Sequence, residues 1–142
     1  MKKLLLLFVM MLTATVAAWA DYTVVDGVRY EIVTYTSPEQ AYVVAPESGV
    51  YTGAVTIPAT INYEGNDYAV TQISSGAFEN STITSLTLPV GLQYIFSSFT
   101  GTSLNSLTIP GTVSFLGSMG DCTSLTSITF AYDGIDGITD EY

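Results

Sequence analysis

Histidine is absent from this sequence, and cysteine, tryptophan and the basic residues are scarce: one Cys, one Trp, and three Lys or Arg against thirteen acids. Each shortage removes a class of chemistry. Without histidine there is no Ser-His or Cys-His dyad, no imidazole metal site and no commonplace general base. Two of the three cations, Lys2 and Lys3, sit in a leader that is expected to be removed, so the exported chain has no lysine for a Schiff base or a phosphate loop. The lone Cys122 has no partner for an internal disulfide, and stability must come from packing. Carboxylates alone remain, and a glycosidase needs two of them facing each other across a cleft. Most acids here sit in turns such as Asp26-Gly27, where local hydrogen bonding accounts for them. An enzyme is not expected, and neither is a cofactor.

The leader begins with Lys2 and Lys3 and continues through an apolar run, Leu4 to Val16, broken only by Thr13 and Thr15. Ala18-Trp19-Ala20 then offers the small-x-small pattern of a signal-peptidase site. The run is short for a membrane span. No Cys sits just past the apolar core, so a lipoprotein anchor is not expected. Cleavage after Ala20 is expected to release a chain starting at Asp21, secreted, periplasmic or held at the cell surface, without membrane insertion. Arg29 is then the single basic residue against thirteen acids, a formal charge of −12. Such a surface repels phosphate backbones and anionic lipid, which excludes nucleic acid as a partner.

What the chain does have is a repeated phrase. Ile83-Thr-Ser-Leu86-Thr-Leu88, Leu104-Asn-Ser-Leu107-Thr-Ile109 and Leu125-Thr-Ser-Ile128-Thr-Phe130 share one alternation at a period of 21 residues. A fixed period near 20 marks a solenoid in which every coil adds a strand to one core. Pro89 and Pro110 follow the first two strands and end their pairing. The links repeat as well, with Leu92 and Val113, Ile95 and Leu116, then Phe99 or Met119. Asn80, Gly101 and Cys122 each precede the leading Ile or Leu by three residues, which predicts an inward-turning, buried position for Cys122 and an inert thiol.

An irregular coil precedes these, where Val55-Thr-Ile57-Pro58 repeats the strand-proline unit. Its link carries an insertion, Ile61 to Ala69, that reads as a β-hairpin turning at Gly65-Asn66-Asp67. Asp26-Gly27 between alternating apolar runs signals another hairpin, and Ala41 to Pro46 reads as a strand. Seven of the ten tyrosines fall between Tyr22 and Tyr68, in keeping with half-buried strands. The chain therefore divides into a leader (1–20), a β-rich cap with the first irregular coil (21–73), the regular coils (74–130) and an acidic tail (131–142). The fold class is mostly β. The tail reads "AYDGIDGITDEY", and two readings stand: a short tail folding back over the last coil, or the start of a further repeat in a longer protein.

The phrases "VTQISSGAFENSTITSLTLP" and "LTIPGTVSFLGSMGDCTSLTSITF" resemble the BspA-type leucine-rich repeats of bacterial surface proteins. Gly76-Ala77-Phe78 matches that family's link, Cys122-Thr123-Ser124-Leu125 its turn, and Ile109-Pro110-Gly111-Thr112-Val113 its exit. "DGVRYEIV" and "GAVTIPATINYEGNDYAVTQI" are similar to the cap that often precedes such repeats. Ser97-Ser98-Phe99 and Ser118-Met119-Gly120 depart from the link pattern, so less regular packing is expected there. The resemblance implies a leucine-rich repeat solenoid with a β-hairpin-rich cap, and a role in adhesion to matrix proteins or other cells.

Site residues follow from strand facing. If Leu86, Leu88, Leu107, Ile109, Ile128 and Phe130 point inward, then Ser85 and Thr87, Ser106 and Thr108, and Ser127 and Thr129 point outward as two ladders of hydroxyls. This face is the candidate for binding an extracellular protein. Small, soluble strand residues are the blander account of it, and it lacks the aromatic and Arg anchors of strong hot spots. Tyr94 and Tyr132, outside the cap, are the candidate exposed aromatics for stacking on a glycan, the second kind of partner considered. A segment of a larger surface protein with only a structural role is the third reading. Asp133, Asp136 and Asp140 miss the alternate-residue ligand spacing of a calcium loop, so no metal is expected. Strand facing is open to a direct check by chemical denaturation. Leu107→Ala should cost about 2–5 kcal/mol and Ser106→Ala far less, while equal losses would overturn the assigned facing.

Overall fold

The computed structural model describes residues 20–131. Residues 1–19 of the leader and 132–142 of the acidic tail, with Tyr132, Asp133, Asp136 and Asp140, lie outside the described residues. Within them the chain is built of strands and turns, with no helix.

β1 (Asp21–Val25) and β2 (Val28–Val33) pair antiparallel with Val25 opposite Val28. The two residues between them, Asp26 and Gly27, both have positive φ (49° and 79°). That is the geometry of a primed two-residue hairpin turn, whose twist matches the flanking strands. β2 alternates inward Val28, Tyr30 and Ile32 with outward Arg29 and Glu31, and it pairs antiparallel with β3 (Gln40–Val43).

β4 (Thr52–Thr56) leads through Pro58 into a second hairpin, β5 (Thr60–Tyr63) and β6 (Asn66–Ile73). The insertion is a hairpin as the sequence implies, but it turns one residue earlier than expected. Glu64 and Gly65 hold the positive φ values, 50° and 85°, while Asn66 already pairs with Tyr63. Asn62 and Asp67 are cross-strand neighbours, and the Asn62 Nδ2–H donates to Asp67 Oδ1 at 2.8 Å. Asp67 thus serves the ladder and not the turn.

β6 then runs parallel to β3. A bulge at Thr71 re-phases the pairing, and the buried Thr71 hydroxyl is satisfied by Gln40 Oε1 at 2.7 Å. From here the chain circles between two rows of strands. β7 (Thr82–Thr87), β9 (Ser106–Ile109) and β11 (Ser127–Phe130) are the repeated phrases. β8 (Tyr94–Ile95) and β10 (Phe115–Leu116) are two-residue strands within the links. They extend the first sheet in the parallel order β6, β8, β10, with Gln72, Tyr94 and Phe115 in register.

The space between the rows holds one apolar core. Phe78 and Phe99, fully buried on successive links, lie nearly parallel at 5.6 Å, and Tyr51 tilts against Phe78 at 5.1 Å. The second link packs regularly despite its Ser97-Ser98-Phe99 sequence. Ser98 takes the place of Ala77, and the single proton of its buried hydroxyl is shared between the carbonyls of Phe96 and Ser74, at 2.7 and 2.9 Å. A buried hydroxyl satisfied in this way carries little desolvation cost.

Two buried tyrosines anchor the N-terminal strands. Tyr51 Oη donates to the Val44 carbonyl at 2.7 Å and accepts the Arg29 N–H at 3.0 Å. Tyr30 Oη, by contrast, is buried without a hydrogen-bond partner. Burial first, then Tyr51 and Asp26, hold the Tyr30 phenol well above the ordinary tyrosine range. Burial also raises Tyr51, outweighing the Arg29 N–H and charge that pull it down. A phenol whose pKa is raised by folding contributes stability that is complete below its unfolded value of about 10 and lost as pH climbs above it. Urea unfolding should therefore show stability falling above about pH 10. Tyr30→Phe should shrink that alkaline loss and leave stability at pH 7 unchanged or up to about 1–3 kcal/mol higher, because an unpartnered hydroxyl has been removed. A lower stability at both pH values would contradict this account.

Candidate functional site

The hydroxyl residues lie on strands held in register by parallel ladders. Ser106 pairs with Ser127 and Thr108 with Thr129, and on the neighbouring pair Ala54 lies beside Ser85 and Thr56 beside Thr87. All six serines and threonines are exposed, while the alternating Leu86, Leu107 and Ile109 are buried. Thr56 and Ala54 extend the two rows onto β4, one strand further than the repeat itself indicates.

The rows are not continuous. β4 pairs with β7 and β9 with β11, but no ladder joins β7 to β9. Those two coils are tied through the turns that precede them. There the Ser103 N–H donates to the Ser81 carbonyl at 2.9 Å, and the buried Ser81 and Thr102 hydroxyls bond each other at 3.0 Å. The face is thus two adjacent hydroxyl patches, Ser85 with Thr87 and the quartet on β9 and β11.

β11 departs from the expected facing. Ile128 and Phe130 are 39% and 67% exposed, where the repeat predicts burial. β11 pairs only with β9, and among the described residues no further coil packs upon it. The inner side of a coil is buried by its neighbours, so the outermost described coil is covered from one side alone. Tyr94 is exposed as expected, at 40%, and stands in register with the exposed Phe115, which packs at 5.2 Å against Phe96. Phe96 and Phe115 escape a sequence reading because they belong to links whose strands are too short to show an alternation.

Among the described residues no group of three or more Cys, Asp or Glu gathers where it could hold a metal ion. Among the described residues the strands offer in-register hydroxyl and aromatic surface.

Against protein families, residues 56–141 match the model for the BspA type leucine rich repeat region, with six copies. The chain belongs to the BspA-type leucine-rich repeat family. No curated protein matches it. Among solved structures, the pneumococcal vaccine antigen PcpA is similar to this chain with a TM-score of 0.51 at 14% identity, over 79% of this chain and 38% of that one. The chain therefore spans well under half of PcpA, and at this identity the likeness is one of fold. A leucine-rich repeat protein from Bacteroides ovatus is 16% identical with a TM-score of 0.40, over 75% of this chain and 40% of that one. A leucine rich cell surface protein from Faecalibacterium prausnitzii is 13% identical with a TM-score of 0.28, over 82% and 56%.

The leucine-rich repeat turn also resolves the place of the cysteine. Asn80 and Gly101 adopt positive φ, 53° and 68°, as their shared register implies, but in the third coil that conformation falls on Asp121 (60°) and not on Cys122. Cys122 instead takes the place of Ser81 and Thr102, since its N–H bonds Met119 as theirs bond Phe78 and Phe99. One extra residue before Leu125 then restores the 21-residue period. Cys122 is half-buried, its Sγ 3.1 Å from the Phe99 carbonyl, and burial, then Asp121, push its thiol up. A thiol so placed is a poor nucleophile at neutral pH.

Gly101 is the tightest of these turns, because a Cβ there would run into the Asn80 side chain in addition to adopting a left-handed backbone. Gly101→Ala is expected to destabilise by at least the roughly 1–2 kcal/mol of the left-handed conformation, read as a lower midpoint in urea. Gly27→Ala, where nothing lies within 4 Å, should lose less. The reverse order would show that contact with Asn80 plays no part.

Proposed function

We propose that this chain is an exported, non-enzymatic recognition module that binds protein at the bacterial surface, in the manner of an adhesin. The observation that supports it is the two patches of exposed hydroxyls on β7 and on β9 with β11, set on strands whose alternate residues Leu86, Leu107 and Ile109 are packed in the core. Side chains on the inner face are committed to packing, whereas those on the outer face make no demand on the fold and are available to a partner. The residue inventory points the same way, for it provides surface and no histidine, the commonest general base. Membership of the leucine-rich repeat family agrees with a role in interaction, and the leader sequence with export after Ala20. The hydroxyls are small and uncharged, so the reading is of a broad contact without a single dominant anchor, strengthened where several copies engage at once.

The test is in two parts. N-terminal sequencing of the exported protein should return Asp21 as the first residue. The same protein, immobilised and probed in parallel with extracellular matrix proteins and a glycan array, should retain proteins and not sugars. Thr108→Arg, which plants a long charged side chain in the middle of the β9 and β11 patch, should weaken retention by about tenfold or more, a loss of ~1.4 kcal/mol. Retention of glycans alone would overturn the protein reading. Unchanged protein binding in Thr108→Arg would remove this face from the site.

A further inference from the structure

The outer surface of the seven-stranded sheet carries a second row, and it is unlike the hydroxyl face. Cross-strand pairing places Tyr22 beside Glu31, Glu31 beside Tyr42, Tyr42 beside Gln72, Gln72 beside Tyr94 and Tyr94 beside Phe115. Side chains paired in register share a face, so these six form one line across the sheet. The next row along the strands runs Thr23, Tyr30, Val43, Ile73, Ile95 and Leu116, and its four central members are fully buried. The pleat therefore turns the first line outward. Tyr22, Tyr94 and Phe115 are 40–46% exposed, and Glu31, Tyr42 and Gln72 are half-exposed. At a strand spacing of about 4.8 Å the line is roughly 24 Å long, with tyrosines about 10 Å apart and a carboxylate or an amide between them.

One end of the line shows what chemistry it accepts. The guanidinium of Arg29 lies over the Tyr22 ring, 3.9 Å from its centroid. Arg29 is the only basic residue among those described, and it lies over Tyr22, so no cation among the described residues is left for Tyr42 and Tyr94. The field of the molecule is strongly negative, which concentrates cations at its surface and does nothing for a neutral ligand.

We infer that this line is a docking strip for an extended basic polypeptide segment, whose Arg or Lys side chains lie over Tyr42 and Tyr94 and against Glu31 as Arg29 lies over Tyr22. The inference rests on the protein-recognition reading above and gives that partner a chemistry. Cation–π contact on an exposed tyrosine is modest, and several in line reinforce one another through a single extended chain. Phe96 and Phe115, in contact at the far end, offer an apolar shelf for the methylene stems of the same side chains.

The test titrates the full exported chain with a synthetic peptide of alternating arginine and serine. A glutamate–serine peptide and a β-linked hexose oligosaccharide serve as the other probes, and ring resonances of the tyrosines are followed by NMR. The arginine peptide should bind, more weakly as salt rises, and shift the rings of Tyr42 and Tyr94. Tyr42→Ala and Tyr94→Ala should each weaken it about threefold to fivefold, with Tyr42→Phe and Tyr94→Phe retaining binding because the ring is kept. Glu31→Gln should weaken it more than Glu79→Gln, an equal loss of charge away from the line. Equal effects of the two Gln variants, with the tyrosine variants neutral, would reduce the binding to general charge attraction and overturn the strip. Binding of the oligosaccharide alone, lost in Tyr94→Ala, would make the line a glycan platform and overturn both the strip and the protein reading. No binding of any probe by a chain that still retains matrix proteins would overturn the strip and leave the protein reading standing.

Discussion

Backbone hydrogen bonding from each coil to the next is the constraint on which the rest of this molecule depends. A coil of 21 residues cannot bury its own apolar side chains, since it is one chain thick, and its core exists only where the next coil covers it. Coverage requires that Leu86 be followed by Leu107, Ile95 by Leu116 and Phe78 by Phe99 at the same height. The ladders and the turn bonds enforce this together. Gly76, Phe78 and Asn80 donate to the carbonyls of Ser97, Ser98 and Thr100 at 2.8–3.0 Å, so register is fixed even where strand pairing lapses between β7 and β9.

Polar groups inside the coil follow from the same requirement. A turn drawn into the core brings backbone carbonyls with it, and unpaired carbonyls in that setting are costly. Hydroxyls on adjacent turns meet this need. Ser98 bridges to Phe96 and Ser74, Thr112 donates to the Leu92 carbonyl at 2.8 Å, and Ser81 and Thr102 bond each other. Cys122 stands where the next such hydroxyl would be. A thiol is a weaker donor than a hydroxyl, and the side chains around it are half-buried, Met119, Cys122 and Leu125 alike.

How much of this is legible in the sequence depends on the length over which each feature is written. The 21-residue period and the facing of Leu86, Leu107 and Ile109 recur along the chain and can be counted. The Asp26-Gly27 hairpin is local and depends on two residues able to take positive φ. The two-residue strands β8 and β10 defeat such a reading, because an alternation needs several residues to be seen. The turn at Glu64-Gly65 is displaced from Gly65-Asn66-Asp67 because Asn66 and Asp67 are as good in a ladder as in a loop when their side chains bond across it. Cys122 looks equivalent to Asn80 and Gly101 by counting, and the displacement appears only in which backbone groups bond. Of the two outward surfaces, the hydroxyl rows lie within the repeat and are visible. The line from Tyr22 to Phe115 joins six separate strands, and the parallel crossing from β3 to β6, bulge included, decides that Tyr42 meets Gln72.

The two surfaces differ in what the fold demands of them. On the repeat face, outward positions sit on strands whose inward neighbours are already fixed, so serine and threonine recur there with the phrase itself. On the other sheet, each outward residue comes from a different strand, and only Tyr94 and Phe115 occupy equivalent positions of the 21-residue period. An exposed Tyr22, Tyr94 or Phe115 gains nothing from burial on that face, and exposed apolar rings in line carry a risk of association that a mixed polar surface avoids. Glu31 and Gln72 set between the rings lessen that risk, and they also divide the line into alternating ring and polar positions. Solubility would be served by polar residues throughout. The alternation makes sense for a surface that must stay in water when empty and still present aromatic faces to whatever lies across it.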